Sequence, residues 1–567
     1  MLGMVCLLMA NLAKLIVPTL LRRVIDDLTS QISGGRLLRY CGLLLFVALV
    51  QAAFLFLQRR TLVSVARHVE YRVRNDFYAH LQKLPPEFYQ KRRTGDLMAR
   101  AINDLASIRL LTGPGLIASL NALFAALLIM PVITSISGKL TLLAFLPMPL
   151  IAVTTQYFSK RIHDRAEKVQ DYLGVLASIA QEAIVGVRVT RAYRQEPAWK
   201  EKFKRVNRQY VSLNLDLIKL AASLLPLIQF VTGLCFIIVF WYSSTLIVRG
   251  SITIGQFFQV VLYVGYIWGP MVALGEVINV YQRAKVSMAR VHAVMSIKPF
   301  IQDAETVKVE DARRDADISG EIEFCNLSFT YRGATEPVLK DVNLRIAPGQ
   351  TVAFVGTVGS GKSTLMNLVP RLLEAERGQV LIDGRPIQDI PLQELRGSIG
   401  YVMQEPFLFS ETIGENILFG LENISQEEVE RAATEADIAL EVSEWKLGYE
   451  TPVGERGVTL SGGQKQRTTI ARALIRKPPI LILDDAMSSV DAQTEEKILG
   501  HLRRHTHRST KLLVSHRVST VKDADLIVVL KEGRIVEQGT HYELLRYDGL
   551  YASLYERQSL EEQLVTI

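Results

Sequence analysis

Residues 351–369, TVAFVGTVGSGKSTLMNLV, begin as an apolar strand, turn on glycines and continue as a helix. Gly356, Thr357, Val358, Gly359, Ser360, Gly361, Lys362 and Ser363 match the pattern G-x-x-x-x-G-K-S, and Thr364 follows. Glycines at these positions let backbone N–H groups wrap a phosphate closely. The helix that follows presents the positive end of its dipole. Lys362 can reach β- and γ-phosphates, and the Ser363 hydroxyl can ligate Mg²⁺.

Phosphoryl transfer needs two further groups: a carboxylate that organises the metal and a side chain that positions the attacking water. ILILDD, residues 480–485, supplies two carboxylates at the end of an apolar strand. Asp484 suits the metal's water shell, and Asp485 would point toward the γ-phosphate. A bound cation explains how two acids can stand side by side, because the ion's charge dominates the local field. A second anion-binding helix start is formed by Ser461, Gly462, Gly463 and Gln464, in TLSGGQKQRTTIARAL. Two such starts in one domain make sense if two copies of the domain face each other. Each nucleotide then lies between the glycine loop of one copy and the Ser461–Gln464 segment of the other.

The chain that positions these groups has 567 residues, long enough for two or more domains. Averages of 49% hydrophobic and 22% charged residues conceal a division. The first half carries long apolar runs, and the second alternates like a soluble domain. Six stretches, at 1–21, 39–58, 114–136, 139–158, 224–248 and 252–280, are long enough to cross about 30 Å of hydrocarbon. Helices are expected, because backbone polar groups in lipid must be satisfied within the segment. The first stretch lacks a basic leader and a small-residue cleavage site, so it reads as a span rather than a removable signal. The links 22–38, 137–138 and 249–251 are short. The links 59–113 and 159–223 are long, charged and helical in pattern, and their Lys and Arg mark the cytoplasmic side. Short helices at their tips are expected to dock onto the next domain. The net charge of +8 belongs to these loops rather than to a nucleic-acid surface.

Polar residues within or beside the spans are Lys14, Asn121, Gln156, Gln229 and Glu276. Intramembrane ionisable groups usually face an interior cavity. Lys14 can instead snorkel, and Glu276 can either line a substrate path or serve as a structural hydrogen-bonding partner. The aromatics Phe257, Phe258, Tyr263, Tyr266 and Trp268 suit an amphipathic ligand or simple helix packing. Cys6, Cys41, Cys235 and Cys325 have no metal spacing and read as small buried hydrophobes. Charge rises and the apolar period fades over 281–318. The expected layout is a transmembrane domain over 1–300, a linker over 301–317, a nucleotide-binding domain over 318–555 and a tail over 556–567. The fold class is an all-α six-helix transmembrane domain fused to an α/β P-loop nucleotide-binding domain.

GSGKS, LSGGQ and ILILDD in this order resemble the ABC transporter superfamily, and more narrowly its exporter type, with six spans fused to one nucleotide-binding domain. The resemblance covers essentially the whole chain and implies ATP and Mg²⁺ as ligands, with Ser363, Gln404 and Asp484 at the metal. It implies that Tyr331 in FTYRG stacks on adenine and that Gln404 in YVMQEPF contacts Mg²⁺ and senses the membrane domain. Glu455 in TPVGERG would touch the coupling helices. Asp491 in SSVD, where the family more often has S-A-L-D, would signal across the dimer. His516 in LVSHR would sense the γ-phosphate. The family also places an amphipathic elbow helix ahead of the first span, whereas this sequence opens within the span.

The family pattern has Glu after the metal-site Asp, and here that residue is Asp485, one methylene shorter. A retreat of roughly an ångström can lower a rate by about 10²-fold, so this site is expected to bind ATP and hydrolyse it slowly. The intact LSGGQ can still serve a competent site on a partner. That combination resembles the degenerate half of bacterial heterodimeric multidrug exporters, the MdlA-like and BmrC-like halves, and RRTGDLMARAIND and GEVINVYQRA add to the likeness. The expected partner is a second half-transporter with Glu at the matching position. The expected setting is a lipid bilayer, the bacterial inner membrane, with the nucleotide-binding domain in the cytoplasm and drugs, lipids or other amphipathic compounds as cargo. The six spans exclude a soluble ATPase acting on nucleic acid. A homodimeric exporter or flippase, an importer and an ATP-gated channel on the same scaffold are the alternatives.

Overall fold

The structure, a computed structural model, describes residues 2–29, 33–303, 318–454, Gly457, 459–505 and 508–566. Two compact units emerge: Met1–Gln82 with Arg92–Ile297, and Lys83–Lys91 with Lys298–Ile567.

Among the described residues of the first unit six helices are long and apolar enough to cross a membrane: Leu2–Thr29, Gly34–Lys83, Thr94–Ile136, Gly138–Val185, Glu196–Val248 and Ile254–Met295. Each contains one of the apolar stretches, prolonged by charged sequence. The prolongations stay helical because their acids find basic partners. Glu70, almost buried, meets Arg67 at 3.2 Å, Arg74 at 2.8 Å and Arg109 of the third span at 3.1 Å. Buried Asp104 accepts from Ser287 at 2.8 Å and from Arg290, tying the third span to the sixth. The second helix stops at Lys83 because Pro85 and Pro86 cannot continue it. Pro86 then opens the short helix Pro86–Gln90, and Lys91 donates to the Arg332 carbonyl at 3.3 Å within the second unit.

Residues 281–295, where the sequence shows charge rising and the apolar period fading, are the last turns of the sixth helix, which runs to Met295. Charge had masked the period. Ala284, Ser287, Val291 and Val294 are buried at alternating spacings of three and four, one face of a helix. Only Cys6 and Cys235 are buried as expected. Cys41 is exposed and Cys325 half-buried. Of the linker, residues 304–317 lie outside the described residues, as does Glu455.

Among its described residues the second unit holds ten strands: β1 (Ile322–Phe329), β2 (Leu339–Ile346), β3 (Thr351–Gly356), β4 (Val380–Ile382), β5 (Arg385–Pro386), β6 (Ile399–Val402), β7 (Ile480–Asp484), β8 (Thr510–Val514), β9 (Leu526–Lys531) and β10 (Arg534–Gly539). An antiparallel sheet takes the order β2-β1-β4-β5, and a second sheet the order β10-β9-β3-β8-β7-β6. In the second, β9, β3, β8, β7 and β6 run parallel. Such strands are covered on both faces, which is why they read as unbroken apolar runs. Their side chains divide by parity. Val352, Phe354, Ile480, Ile482, Leu512 and Val514 enter the core shared with the antiparallel sheet. Ala353, Val355, Leu481, Leu483 and Leu513 enter the core on the other face, with Ile470, Leu474, Ile498 and Leu502. The expected tail is largely helix: Leu550–Thr566 forms the last element, with Tyr551 fully buried.

Candidate nucleotide site

Three parallel strands end side by side. Phe354 of β3 and Asp484 of β7 both pair in register with Val514 of β8. Gly356, the Asp484–Asp485 pair and His516 therefore arrive at one edge of the sheet. Crevices beyond the carboxyl ends of parallel strands are where α/β sheets bind ligands. A cavity of about 210 Å³ lies there, lined by Val338, residues 358–364, Gln404, Asp484, Asp485, Val514 and His516.

The loop needs its glycines for two separate reasons. A Cβ on Gly356 would stand 2.1 Å from the Leu530 carbonyl oxygen, so strand β9 leaves no room for one. Gly361 has φ 101°, in the left-handed region, and a Cβ there would meet Leu339 Cδ2 at 2.7 Å. Lys362 opens the helix Lys362–Leu368 and is 6% exposed. Its ammonium donates to the carbonyls of Gly356 and Thr357 at 2.9 Å each, and to Ser360 Oγ at 3.3 Å. Burial pushes its pKa down, while Asp484 and Asp485 pull it up. The cation is satisfied by these oxygens and, among the described residues, has no direct carboxylate contact, so it can turn to an anion.

The adjacent acids do not share an environment. Asp484 is 3% exposed, and its Oδ1 accepts from Ser363 Oγ at 3.0 Å. Burial raises its carboxyl, with Asp485 adding to the effect and Ser363 and Lys362 opposing it. Asp485 turns away at φ 49° while its N–H donates to the Val514 carbonyl at 2.9 Å. Its Oδ2 lies 3.5 Å from Gln404 Nε2, the outer limit of a hydrogen bond. A left-handed backbone at this point thus separates two charges that sequence alone sets side by side. The oxygens of Ser363, Asp484 and Gln404 form the donor set that a hard divalent cation takes, so these residues fit Mg²⁺. The glycine amides and the ammonium suit phosphate.

Not every expected residue joins this cavity. Tyr331 packs edge-on to Phe329, and its hydroxyl bonds Thr364 Oγ1 at 3.0 Å, next to the cavity rather than lining it. Ser461 and Gln464 form a reciprocal cap on the helix Gly462–Leu474: Ser461 Oγ accepts from Gln464 N–H at 3.2 Å, and Gln464 Oε1 from Ser461 N–H at 2.9 Å. Asp491 accepts from Thr494 N–H at 3.0 Å at the start of the helix Ala492–His505, and that bond lowers its pKa. Ser461, Gly462, Gly463, Gln464 and Asp491 all lie outside the cavity of their own chain.

Several supporting residues carry no motif. Tyr401 donates to Asn367 Oδ1 at 3.0 Å; burial, with Asp484 beside it, holds its phenol well above the ordinary value. Arg517 reaches Glu495 Oε2 at 2.7 Å and the Val490 carbonyl at 2.9 Å. Glu495 is buried and also accepts from Thr520. Gln558 on the last helix accepts from Val518 N–H at 2.7 Å and donates to the His516 carbonyl, so the loop carrying His516 is gripped from both ends. Glu495 sits on an amphipathic helix as any solvated acid does, and it is the Arg517–Thr520 segment that covers it.

The profile of the ABC transporter transmembrane region matches residues 1–271, and that of the ABC transporter matches residues 339–488. The chain is 37% identical over 564 residues to a probable multidrug resistance ABC transporter ATP-binding/permease protein, YheI, of Bacillus subtilis, spanning 98% of this chain and 95% of that one. It is 33% identical over 567 residues to the multidrug resistance-like ATP-binding protein MdlA of Escherichia coli, spanning 99% and 95%. It is 33% identical over 563 residues to an ATP-dependent lipid A-core flippase of Syntrophus aciditrophicus, spanning 99% and 92%. The solved structure of a bacterial Atm1-family ABC exporter with ATP bound shares the fold at a TM-score of 0.80 and 26% identity, over 98% of this chain and 97% of that one. Relatives that match almost end to end, six membrane-spanning helices and a phosphate-binding α/β unit lead to one conclusion: this chain belongs to the ABC transporter family, as a multi-pass membrane protein of the exporter type with fused membrane and ATP-binding domains.

Proposed function

We propose that this chain is one half of a heterodimeric, ATP-driven exporter of the bacterial inner membrane, and that its own ATP site is the slow one of the pair. The observation that carries this reading is Asp485. Its short carboxylate stands where hydrolysis needs a group reaching toward the γ-phosphate, while the Ser461–Gln464 segment is intact for use by a partner.

Hydrolysis breaks the bond between the γ-phosphorus and the β,γ-bridging oxygen as water adds to the phosphorus and gives up a proton. In this chain Lys362 exchanges its two carbonyl partners for phosphate oxygens. Tyr331 flanks adenine, His516 senses the γ-phosphate and Asp485 orients the water. Ser363, Gln404 and Asp484 would hold Mg²⁺, which would supply positive charge to offset the phosphates. Closure of two nucleotide-binding domains around ATP would reopen the spans outward. ATP drives that change only as far as it binds the closed state better than the open one.

Reconstituting the chain alone and with a candidate partner tests the reading. Slow ATPase from the chain alone is expected, with brisk ATPase from the pair that survives Asp485→Ala. Brisk ATPase from the chain alone, abolished by Asp485→Ala, would instead make it a homodimer. Uphill accumulation of amphipathic cargo in inside-out vesicles separates a pump from an ATP-gated channel, and its direction separates export from import.

A further inference from the structure

A second cavity, of about 700 Å³, opens within the membrane unit between the first, second, third and sixth spans. That volume is in the range of small-molecule sites. Much of its wall is apolar, but Lys14 of the first span and Arg59 of the second both line it, and among the described residues no Asp or Glu does. Gln51 adds a further polar group. Asn11 donates to Asn121 Oδ1 at 3.0 Å, which braces the first span against the third at the cavity wall.

The two cations differ from their neighbours. Glu70 is met by Arg67, Arg74 and Arg109, and Asp104 by Arg290. Among the described residues, neither Lys14 nor Arg59 has a carboxylate within ion-pair distance. Lys14 rests instead over the Tyr266 ring, 4.4 Å from its centre. Lys14 lies near the middle of the helix Leu2–Thr29, ~18 Å along the axis from Leu2, beyond the reach of a simple end-of-helix snorkel. Unpaired charge at such a depth is unfavourable unless it faces water or a counter-ion.

We infer that this cavity takes an amphiphile with an anionic head, a phosphate or carboxylate held by Lys14 and Arg59 with its apolar body along the remaining walls. The inference rests on the export reading and names its substrate class. The forked guanidinium of Arg59 matches a two-oxygen head, and Lys14 adds a point charge. A cationic amphiphile would meet two like charges and no acid, so the site discriminates by sign.

The test is equilibrium binding of labelled dodecyl phosphate to the full chain in zwitterionic phosphatidylcholine nanodiscs. Saturable binding is expected. Lys14→Gln and Arg59→Gln should each weaken it about tenfold, Lys14→Arg should keep it, and dodecyltrimethylammonium should bind far more weakly. Equal binding of the ammonium amphiphile, or undiminished dodecyl phosphate binding by the double variant, overturns the inference. Competition by phosphatidylglycerol assigns the head to a membrane lipid, and its failure assigns it to a free amphiphile; both uphold the anionic head. MgATP binding is measured on every sample. Intact MgATP binding without anion binding sinks this inference alone, whereas the reverse sinks the ATP-driven reading alone.

Discussion

Gln404 Nε2 stands 3.5 Å from Asp485 Oδ2, while the adjoining Asp484 turns to Ser363, 3.0 Å away. Two neighbouring acids thus occupy different worlds: one sealed among β-strands, the other on a left-handed turn facing a flexible carboxamide. That separation makes the second acid's length the open variable of the site.

Asp485→Glu restores the missing methylene. In a reconstituted pair whose partner site is disabled, turnover at this chain's site should rise by about tenfold or more, toward the ~10² that an ångström of misplacement can remove. The longer side chain is less at ease at φ 49°, so the free energy of unfolding should fall slightly, by roughly 1 kcal/mol. Single-site turnover and chemical unfolding check both halves. Unchanged turnover would mean that length is not the defect.

Lys362→Met removes the cation that main-chain carbonyls now hold. Affinity for MgATP should drop about 10- to 100-fold, the loss expected for a charged hydrogen-bonding partner. Stability without nucleotide should change little, because relief of the buried ammonium offsets the lost bonds to Gly356 and Thr357. Nucleotide titration alongside thermal unfolding distinguishes this from general damage.

Asp484 gives the site a pH dependence of definite sign. Burial raises its folded pKa above the ordinary 3.8. Its burden on the ligand-free fold is therefore present at neutral pH and relieved as pH falls through the raised value. Metal binding runs the other way, since the cation competes with the proton. Mg²⁺-dependent ATP affinity should weaken from neutral to mildly acidic pH, and Asp484→Asn should flatten the profile while lowering affinity throughout. Titrations across that interval decide it.

Arg517→Ala would strand Glu495, whose side chain is 4% exposed. Removing one partner of a buried pair destabilises by about 3 kcal/mol. Unfolding of the full chain should show the loss, and amide exchange at residues 515–518 should quicken. Arg517→Lys should recover part of both.

The nucleotide motifs were legible because each is a short local string whose chemistry needs neighbours in sequence: glycines before Lys362, an apolar run before Asp484. The six spans were legible because lipid demands length and apolarity. What escaped depends on contacts between distant segments. Nothing near residue 485 announces a left-handed turn, which relies on pairing with Val514. Glu495 looks solvated until the Arg517 loop covers it. Residues 281–295 carry enough charge to blur the helical period beyond the sixth apolar stretch, yet Asp104 and Glu70 show how charged helices persist when acids find bases. Lys14, read as able to snorkel, and Arg59, the first residue of the 59–113 link, line one cavity only because four helices fold together.

Gln558 joins the final helix to the backbone on both sides of Arg517. A reporter or affinity handle fused after that helix is therefore mechanically linked to the nucleotide pocket, and a truncation within it removes a brace rather than a loose end. Labels meant to be silent belong on exposed turns such as Glu422–Asn423, far along the chain from the loop that carries His516.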